Sequence, residues 1–118
     1  MTIYQRMAAV FTAAKVPGFL QEWRATGEYP TIPEKYCTYL VEQDGEAMAA
    51  DDEELVHESR VWIDVYGMTD VSAELGAVIG ALREGGFLVS PTRDLDNVRL
   101  SRFQYHRRLR AIYYDYDI

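Results

Sequence analysis

The chain has 118 residues, of which 48% are hydrophobic and 26% are charged, and its formal net charge is −7. These values predict one globular domain over residues 1–118 and exclude a chain that is disordered throughout. No apolar run approaches the roughly 20 residues of a membrane span, so we expect a soluble intracellular protein with no membrane partner. The net acidity is atypical of a free-standing nucleic-acid-binding protein.

The first half of the chain predicts one helix and one strand. Residues 3–14 form an amphipathic helix, with Thr2 as a possible N-cap. Residues 19–35 lack a clear period and predict a loop, with room for a short strand near 19–21. Aromatic and β-branched residues at 36–43 predict a strand. A turn-rich acidic loop is expected from residue 44 to residue 54.

The second half predicts the long strand, the main helix and two further strands. In 55–67 aliphatic side chains alternate with charged and aromatic ones, which is typical of a strand. Residues 70–84 predict a helix capped by Thr69 or Asp70. Short and long strands follow, at 87–89 and at about 100–114, separated by a polar loop at 92–98.

These elements predict an α+β fold, with a mostly antiparallel sheet of about four strands and two helices packed on one face. Gly76 and Gly80 lie four residues apart in the second helix. Because glycine lowers helix propensity, we expect both to allow close packing of this helix on the sheet.

No recognisable catalytic or cofactor-binding motif occurs in the sequence. His57 and His106 lack metal-ligand spacing, and the glycines do not form a phosphate-binding loop. Cys37 is the single cysteine, which excludes an internal disulfide and is typical of a small buried hydrophobic residue. We therefore expect neither enzymatic activity nor a bound cofactor or metal.

Charge is segregated into two segments. An acidic segment of 17 residues contains no Lys or Arg; its carboxylates are Glu42, Asp44, Glu46, Asp51, Asp52, Glu53, Glu54 and Glu58. The spacing of a calcium loop is absent, so a solvated loop is the simplest interpretation. A basic segment contains Arg93, Arg99, Arg102, Arg107, Arg108 and Arg110. Three interpretations stay open. The two segments pair within one copy, they join neighbouring copies head to tail, or the arginines contact nucleic acid.

Mixed strand faces supply the candidate contact residues. Arginine and aromatic side chains are enriched at protein interfaces. The candidates for subunit or partner contact are Arg60, Trp62, Tyr66, Arg102, Arg108 and Arg110.

The order of elements, with several local patterns, resembles the tail-completion or tail-terminator (tail-to-head joining) proteins of long-tailed bacteriophages and prophages. A first helix ends at Val16-Pro17, and a proline- and tyrosine-rich stretch at 32–39 leads into a strand. The acidic stretch 49–54 and the strand 59–67 follow. The second helix ends in Glu84-Gly85-Gly86-Phe87, and a strand at 106–114 closes the pattern. The resemblance covers about residues 3–116.

This resemblance implies a structural virion protein at the head–tail interface, assembled in the host cytoplasm. Such proteins form homohexameric rings that stop growth of the tail tube. They contact the tail tube protein and the head-completion (stopper) protein, and DNA passes through the ring without specific binding. Asp44, Glu46, Asp51, Asp52, Glu53 and Glu54 are then candidates for a lumen or docking loop. The alternatives are a head-completion or connector protein, a non-viral α+β binding module, or an enzyme.

Overall fold

Residues 1–48, 55–96 and 102–116 are described by a computed structural model. Within them the chain forms two helices and six strands. Their order is α1 (Ile3–Ala14), β1 (Gly18–Leu20), β2 (Lys35–Met48), β3 (Leu55–Gly67), α2 (Ser72–Glu84), β4 (Leu88–Val89), β5 (Arg93–Asp94) and β6 (Tyr105–Asp115).

The strands form a mixed sheet in the order β1-β2-β3-β6-β4, with β5 also paired to β6. β1 runs parallel to β2, and the other pairs are antiparallel. The α+β class is confirmed, but the expected number of about four strands is too low. β1, at Gly18–Leu20, is the short strand for which the sequence left room near 19–21. β5 has two residues, and so short a strand leaves little periodic signal in a sequence.

The acidic stretch after residue 43 does not begin as a loop. β2 continues to Met48 and stays paired with β3 beyond a bulge between Val41 and Gln43. Asp44 and Glu46 are therefore strand residues, and their prediction as loop residues is wrong. The local polarity suggested a loop, whereas cross-strand pairing with β3 extends the strand. The other four candidates of this loop, Asp51, Asp52, Glu53 and Glu54, lie outside the described residues.

Helix α1 has the predicted bounds, and its first turn explains why it begins there. The Thr2 hydroxyl accepts a hydrogen bond from the Gln5 N–H at 3.1 Å. The Gln5 side chain accepts from the Thr2 N–H at 2.8 Å, completing a capping box. Lys15 ends the helix in the left-handed conformation (φ 58°).

Helix α2 begins at Ser72, two residues later than predicted. The carboxylate of Asp70 still accepts from the Ser72 N–H at 2.7 Å, so it satisfies a free donor of the first turn. Gly76 and Gly80 do not pack on the sheet. Both are exposed, and a Cβ added at either would meet nothing within 4 Å.

Both helices cover the same face of the sheet, as predicted. Ile3, Met7, Val10 and Phe11 of α1, and Val78 and Leu82 of α2, are buried against the sheet. The sheet contributes Cys37, Tyr39, Val61, Ile63, Val65, Leu109 and Ala111 to this core. We call this side the helix face. Burial raises the pKa of the Cys37 thiol well above its ordinary value, which makes the group an inert core residue. Neither helix in the described residues is long and apolar enough to span a membrane.

Candidate interface on the open face of the sheet

Neither of the two helices of the described residues lies on the opposite side of the sheet, and we call this side the open face. It is formed by alternate residues of the three long strands, because successive strand residues point to opposite sides. The register aligns Tyr36, Tyr66 and His106 in one row and Thr38, Asp64 and Arg108 in the next. Leu40, Trp62 and Arg110 form a third row.

The first row is a stack of rings. The ring centroids of Tyr36 and Tyr66 are 5.2 Å apart, and those of Tyr66 and His106 are 4.3 Å apart. Phe103 meets the Tyr36 ring edge-on at 5.2 Å, and Phe19 does so from β1 at 6.2 Å. This end of the open face is therefore already occupied by the chain's own aromatic side chains.

The second row contains a buried carboxylate. Asp64 is 8% exposed, and its Oδ1 lies 2.6 Å from His106 Nε2 and 2.8 Å from Arg108 Nε. Burial alone would raise the pKa of Asp64. The hydrogen bonds and charges of His106 and Arg108 outweigh that effect and lower it below its ordinary value. The ionised form of Asp64 is therefore the one that the fold holds.

The third row contains Trp62, whose ring is approached by Arg110 of the same row and by Arg108 of the second row. The guanidinium carbons of Arg108 and Arg110 lie 5.7 Å and 5.2 Å from the centroid of the Trp62 ring, within cation–π range. Arg110 also approaches Glu42, with 3.8 Å between Nη1 and Oε2. Trp62 is half-buried, and Leu40 beside it is 47% exposed. Tryptophan and arginine together are typical of a contact surface, and Leu40 adds exposed apolar area beside them.

A fourth row continues this surface towards the far end of the sheet. Arg60, Ile112 and Leu88 are aligned across β3, β6 and β4. Arg60 Nε donates to Glu58 Oε1 at 2.8 Å, and Leu88 is 60% exposed. The open face thus offers apolar groups at Leu40, Trp62 and Leu88 between paired arginines.

The structure brings five of the six candidate contact residues onto this face. Arg108 and Arg110 both contact Trp62. Arg60 lies one row further along the sheet, and Tyr66 is held in the ring stack. Arg102 does not belong to the group. It precedes β6, which begins at Tyr105 rather than near residue 100, and its guanidinium carbon is 5.9 Å from the Phe103 ring centroid.

The charge segments pair mainly with nearby or cross-strand partners rather than with each other. Arg107 pairs with Asp94 and Asp96, and Arg108 pairs with Asp64. Within the described residues, the ion pair between Arg110 and Glu42 is the single direct link between the two segments.

A second polar cluster lies on the helix face, beyond the N-terminal turn of α1. The Oδ1 of Asp44 is 2.6 Å from His57 Nε2 and accepts from Ser59 Oγ at 2.7 Å. The Ser59 hydroxyl donates to the carboxylate, whereas an activated serine nucleophile donates to the imidazole. Burial would raise the pKa of Asp44, but the bonds from His57 and Ser59 lower it. In the part of the chain that the structure describes, no group of His, Cys, Asp and Glu could hold a metal ion.

The buried Asp64 is the central residue that the candidate set missed. A carboxylate at an alternating position of a β-branched strand was the available signal. Its partners His106 and Arg108 lie more than forty residues away, and their alignment requires the register between β3 and β6.

Neither a family model nor a curated protein matches the chain. Among solved structures, the chain is similar to a chain in the virion of a native gene transfer agent particle. The two are 12% identical, the TM-score is 0.54, and the match covers 96% of this chain and 89% of the other. At this identity the likeness shows a shared fold.

Proposed function

We propose that this chain is a structural subunit of a phage-like particle, and that its role is that of a tail terminator. The observation that carries the proposal is the shared fold with a chain of a gene transfer agent virion, over nearly the full length of both chains. The resemblance of element order and local sequence pattern narrows it to the protein that caps the tail tube, ends its elongation and joins the tail to the head.

In this role six copies form a ring, and the open face supplies a contact surface. A ring requires two different surfaces on each copy, because each copy meets one neighbour on either side. The exposed parts of Leu40, Trp62 and Leu88 give one such surface an apolar centre, and Arg60 and Arg110 give it a polar margin. The other partners are the tail tube protein and the head-completion (stopper) protein, and the ring resides in the virion after assembly in the host cytoplasm.

DNA passes through the lumen of this ring without being bound. Acidic side chains repel DNA phosphates at short range, so a lumen lined by them would not retain the DNA. Asp44, Glu46 and the acidic stretch 51–54 are the candidates for this lining or for a docking element. Replacing Asp51, Asp52, Glu53 and Glu54 with Asn and Gln tests this assignment. Unchanged assembly and infectivity would make the stretch a plain connector.

The chain carries out no chemistry and needs no cofactor in this proposal. The cluster of Asp44, His57 and Ser59 has its hydroxyl directed at the carboxylate, which fits a structural role. A measurable turnover of any substrate that is lost on replacing His57 would contradict this part of the proposal.

The first test is the mass of the purified chain over a wide concentration range, alone and with the tail tube protein encoded by the same phage or prophage genome. We expect a species of six copies that weakens at high salt, because charged contacts are screened. Binding to the portal complex instead of the tube would favour the head-completion role. A monomer that binds neither the tail tube protein nor the portal complex would overturn the virion proposal.

A further inference from the structure

The far end of the sheet is three strands wide, and among the described residues neither of its edges is paired with a further strand. Gly45, Glu58 and Tyr114 form one row across β2, β3 and β6, and Glu46, His57 and Asp115 form the next. Of the residues that the structure describes, none forms a strand outside β2 beyond Tyr39 or outside β6 beyond Ile112. Open edges present unpaired N–H and C=O groups that readily add another strand.

The hydrogen bonds to β1 show which residues of β2 turn their backbone groups outward. The Cys37 N–H donates to the Pro17 carbonyl at 2.7 Å, and the Tyr39 carbonyl accepts from the Gln21 N–H at 2.7 Å. Backbone groups alternate in direction along a strand. The backbone N–H and C=O groups that point away from β3 are therefore those of Cys37, Tyr39 and every second residue up to the bulge.

The bulge in β2 changes this alternation. The register with β3 slips by one residue between Val41 and Gln43, so the outward positions become the even-numbered ones beyond it. The N–H and C=O groups of Asp44 and Glu46 thus point away from β3, along the uncovered part of the edge.

Backbone groups alternate in the same way along the outer side of β6. The carbonyl of Arg110 accepts from the Ser90 N–H at 2.8 Å, and that of His106 accepts from the Leu95 N–H at 2.8 Å. By alternation, Tyr114 also turns its backbone groups outward, where β4 no longer covers them. Tyr114 is 37% exposed and Tyr116 is 67% exposed, as aromatic side chains at an interface are before assembly.

We propose that the two open edges pair with each other between copies, so that the edge of β6 near Tyr114 adds to the edge of β2 near Glu46 in the next copy. This inference rests on the ring proposed above. One head-to-tail contact, repeated around a closed ring, leaves no open edge at this end of the sheet. Since β2 and β6 are both antiparallel to β3, they run in the same direction, and the new pair is parallel.

A second copy fits these edges better in this arrangement than in a two-fold one. The uncovered part of β2 carries the carboxylates Glu42, Asp44 and Glu46 with no Lys or Arg. Two such edges brought together would place like charges opposite each other, which is destabilising. Within the described residues, the edge of β6 near Tyr114 carries tyrosines and one carboxylate, Asp115, which already pairs with Arg6 at 3.5 Å. A contact between β2 and β6 therefore opposes fewer unpaired like charges than a contact between two β2 edges.

Proline substitutions test the pairing. Glu46→Pro and Tyr114→Pro each remove an outward N–H and leave the pairing with β3 in the monomer intact. We expect each to weaken assembly at least tenfold by native mass spectrometry. Each should also weaken it more than its matched control, Glu46→Ala or Tyr114→Ala, which keeps the outward N–H. Thermal unfolding of the monomers shows whether the proline variants are folded.

A cross-link provides the second measurement and does not depend on proline tolerance. Glu46→Cys on β2 is combined with Tyr113→Cys or Asp115→Cys on β6. Within one copy β2 and β6 lie about 10 Å apart, on either side of β3, which is too far for a disulfide. In the ring, oxidation should join copies in a ladder of up to six for at least one pair, and single cysteines should give none. A ring that survives both prolines and gives no ladder overturns the edge pairing alone. A chain that never assembles, even with tube protein, overturns the ring as well.

Discussion

The two faces of the sheet are built by different means. On the helix face, Val61, Ile63 and Val65 are fully buried beneath the helices and belong to the hydrophobic core. On the open face, Trp62 makes cation–π contacts and Asp64 makes ion pairs with side chains from β6. Burial of aliphatic groups therefore stabilises this fold, whereas the contacts on the open face fix the positions of exposed groups.

The largest expected effect is on the helix face. Leu82 of α2 is fully buried, so Leu82→Ala leaves a cavity and should lower the free energy of unfolding by about 2–5 kcal/mol. Chemical denaturation measures this. The matched control is Leu88→Ala on the open face, which should change stability by less than about 0.5 kcal/mol because this residue is exposed. Similar losses for both variants would erase the distinction between the faces.

Asp64→Asn tests whether the open face also contributes to stability. The substitution removes the charge that accepts from His106 and Arg108, so we expect a loss of about 2–3 kcal/mol. Urea denaturation at neutral pH gives the value. Asp94→Asn is the control, because that carboxylate is largely exposed and should matter by less than about 1 kcal/mol. An equally small loss for Asp64→Asn would mean that the buried ion pair only positions Arg108.

Acid should reveal the same carboxylate. Because the pKa of Asp64 is lower in the folded chain than its ordinary value of 3.8, its contribution is present above that value. The contribution is lost as the pH falls through the lowered pKa of the folded state. Urea midpoints measured from about pH 6 to about pH 2 should fall less steeply in Asp64→Asn than in the wild type. Parallel curves would contradict the lowered pKa.

Helix α2 offers a stabilising change on its exposed side. Gly76→Ala and Gly80→Ala add a methyl group that meets nothing within 4 Å. Each should raise the free energy of unfolding by about 0.5–1 kcal/mol, since alanine favours a helix over glycine. Thermal unfolding detects the gain. Gly86→Ala is the opposite control, because φ is +88° there and a side chain is strained. A loss at Gly76 or Gly80 would reveal a packing partner on this side.

Arg110 should contribute little to the stability of the monomer and more to assembly. Its contact with Glu42 is long, at 3.8 Å, and the side chain is partly exposed, so Arg110→Ala should cost the monomer less than about 1 kcal/mol. Its assembly with other copies should weaken, because arginine beside a tryptophan is typical of a contact surface. Native mass spectrometry and urea denaturation separate the two effects. Normal assembly would remove Arg110 from the interface.

Long periodic segments of the sequence predicted the elements that carry the core. The bounds of α1 and β3 agree with the structure, because Met7 and Val10 of α1 and the alternating residues of β3 mark their buried sides. β1 and β5 have too few residues to show a period, and the acidic residues of β2 concealed its pairing with β3.

The candidate site could be predicted only in part for the same physical reason. Alternation placed Trp62, Arg108 and Arg110 on one side of their strands, and the structure brings them together. The partnership of Asp64 with His106 depends on register between distant strands, which one sequence does not encode locally. The prediction that Gly76 and Gly80 of α2 pack on the sheet was wrong. Helical spacing indicates which residues share a side of the helix, but it does not indicate which side packs on the sheet.

The central position of β3 has a consequence for the order of folding. Its pairing with β2 closes a short connection, whereas its pairing with β6 joins residues such as Ile63 and Leu109 across a long intervening segment that includes α2. Closing the longer loop costs more chain entropy, so the hairpin of β2 and β3 should form first and β6 should dock last. During synthesis, the edge of β3 that pairs with β6 therefore stays unpaired until β6 leaves the ribosome. We expect the chain to be most prone to aggregation in that interval.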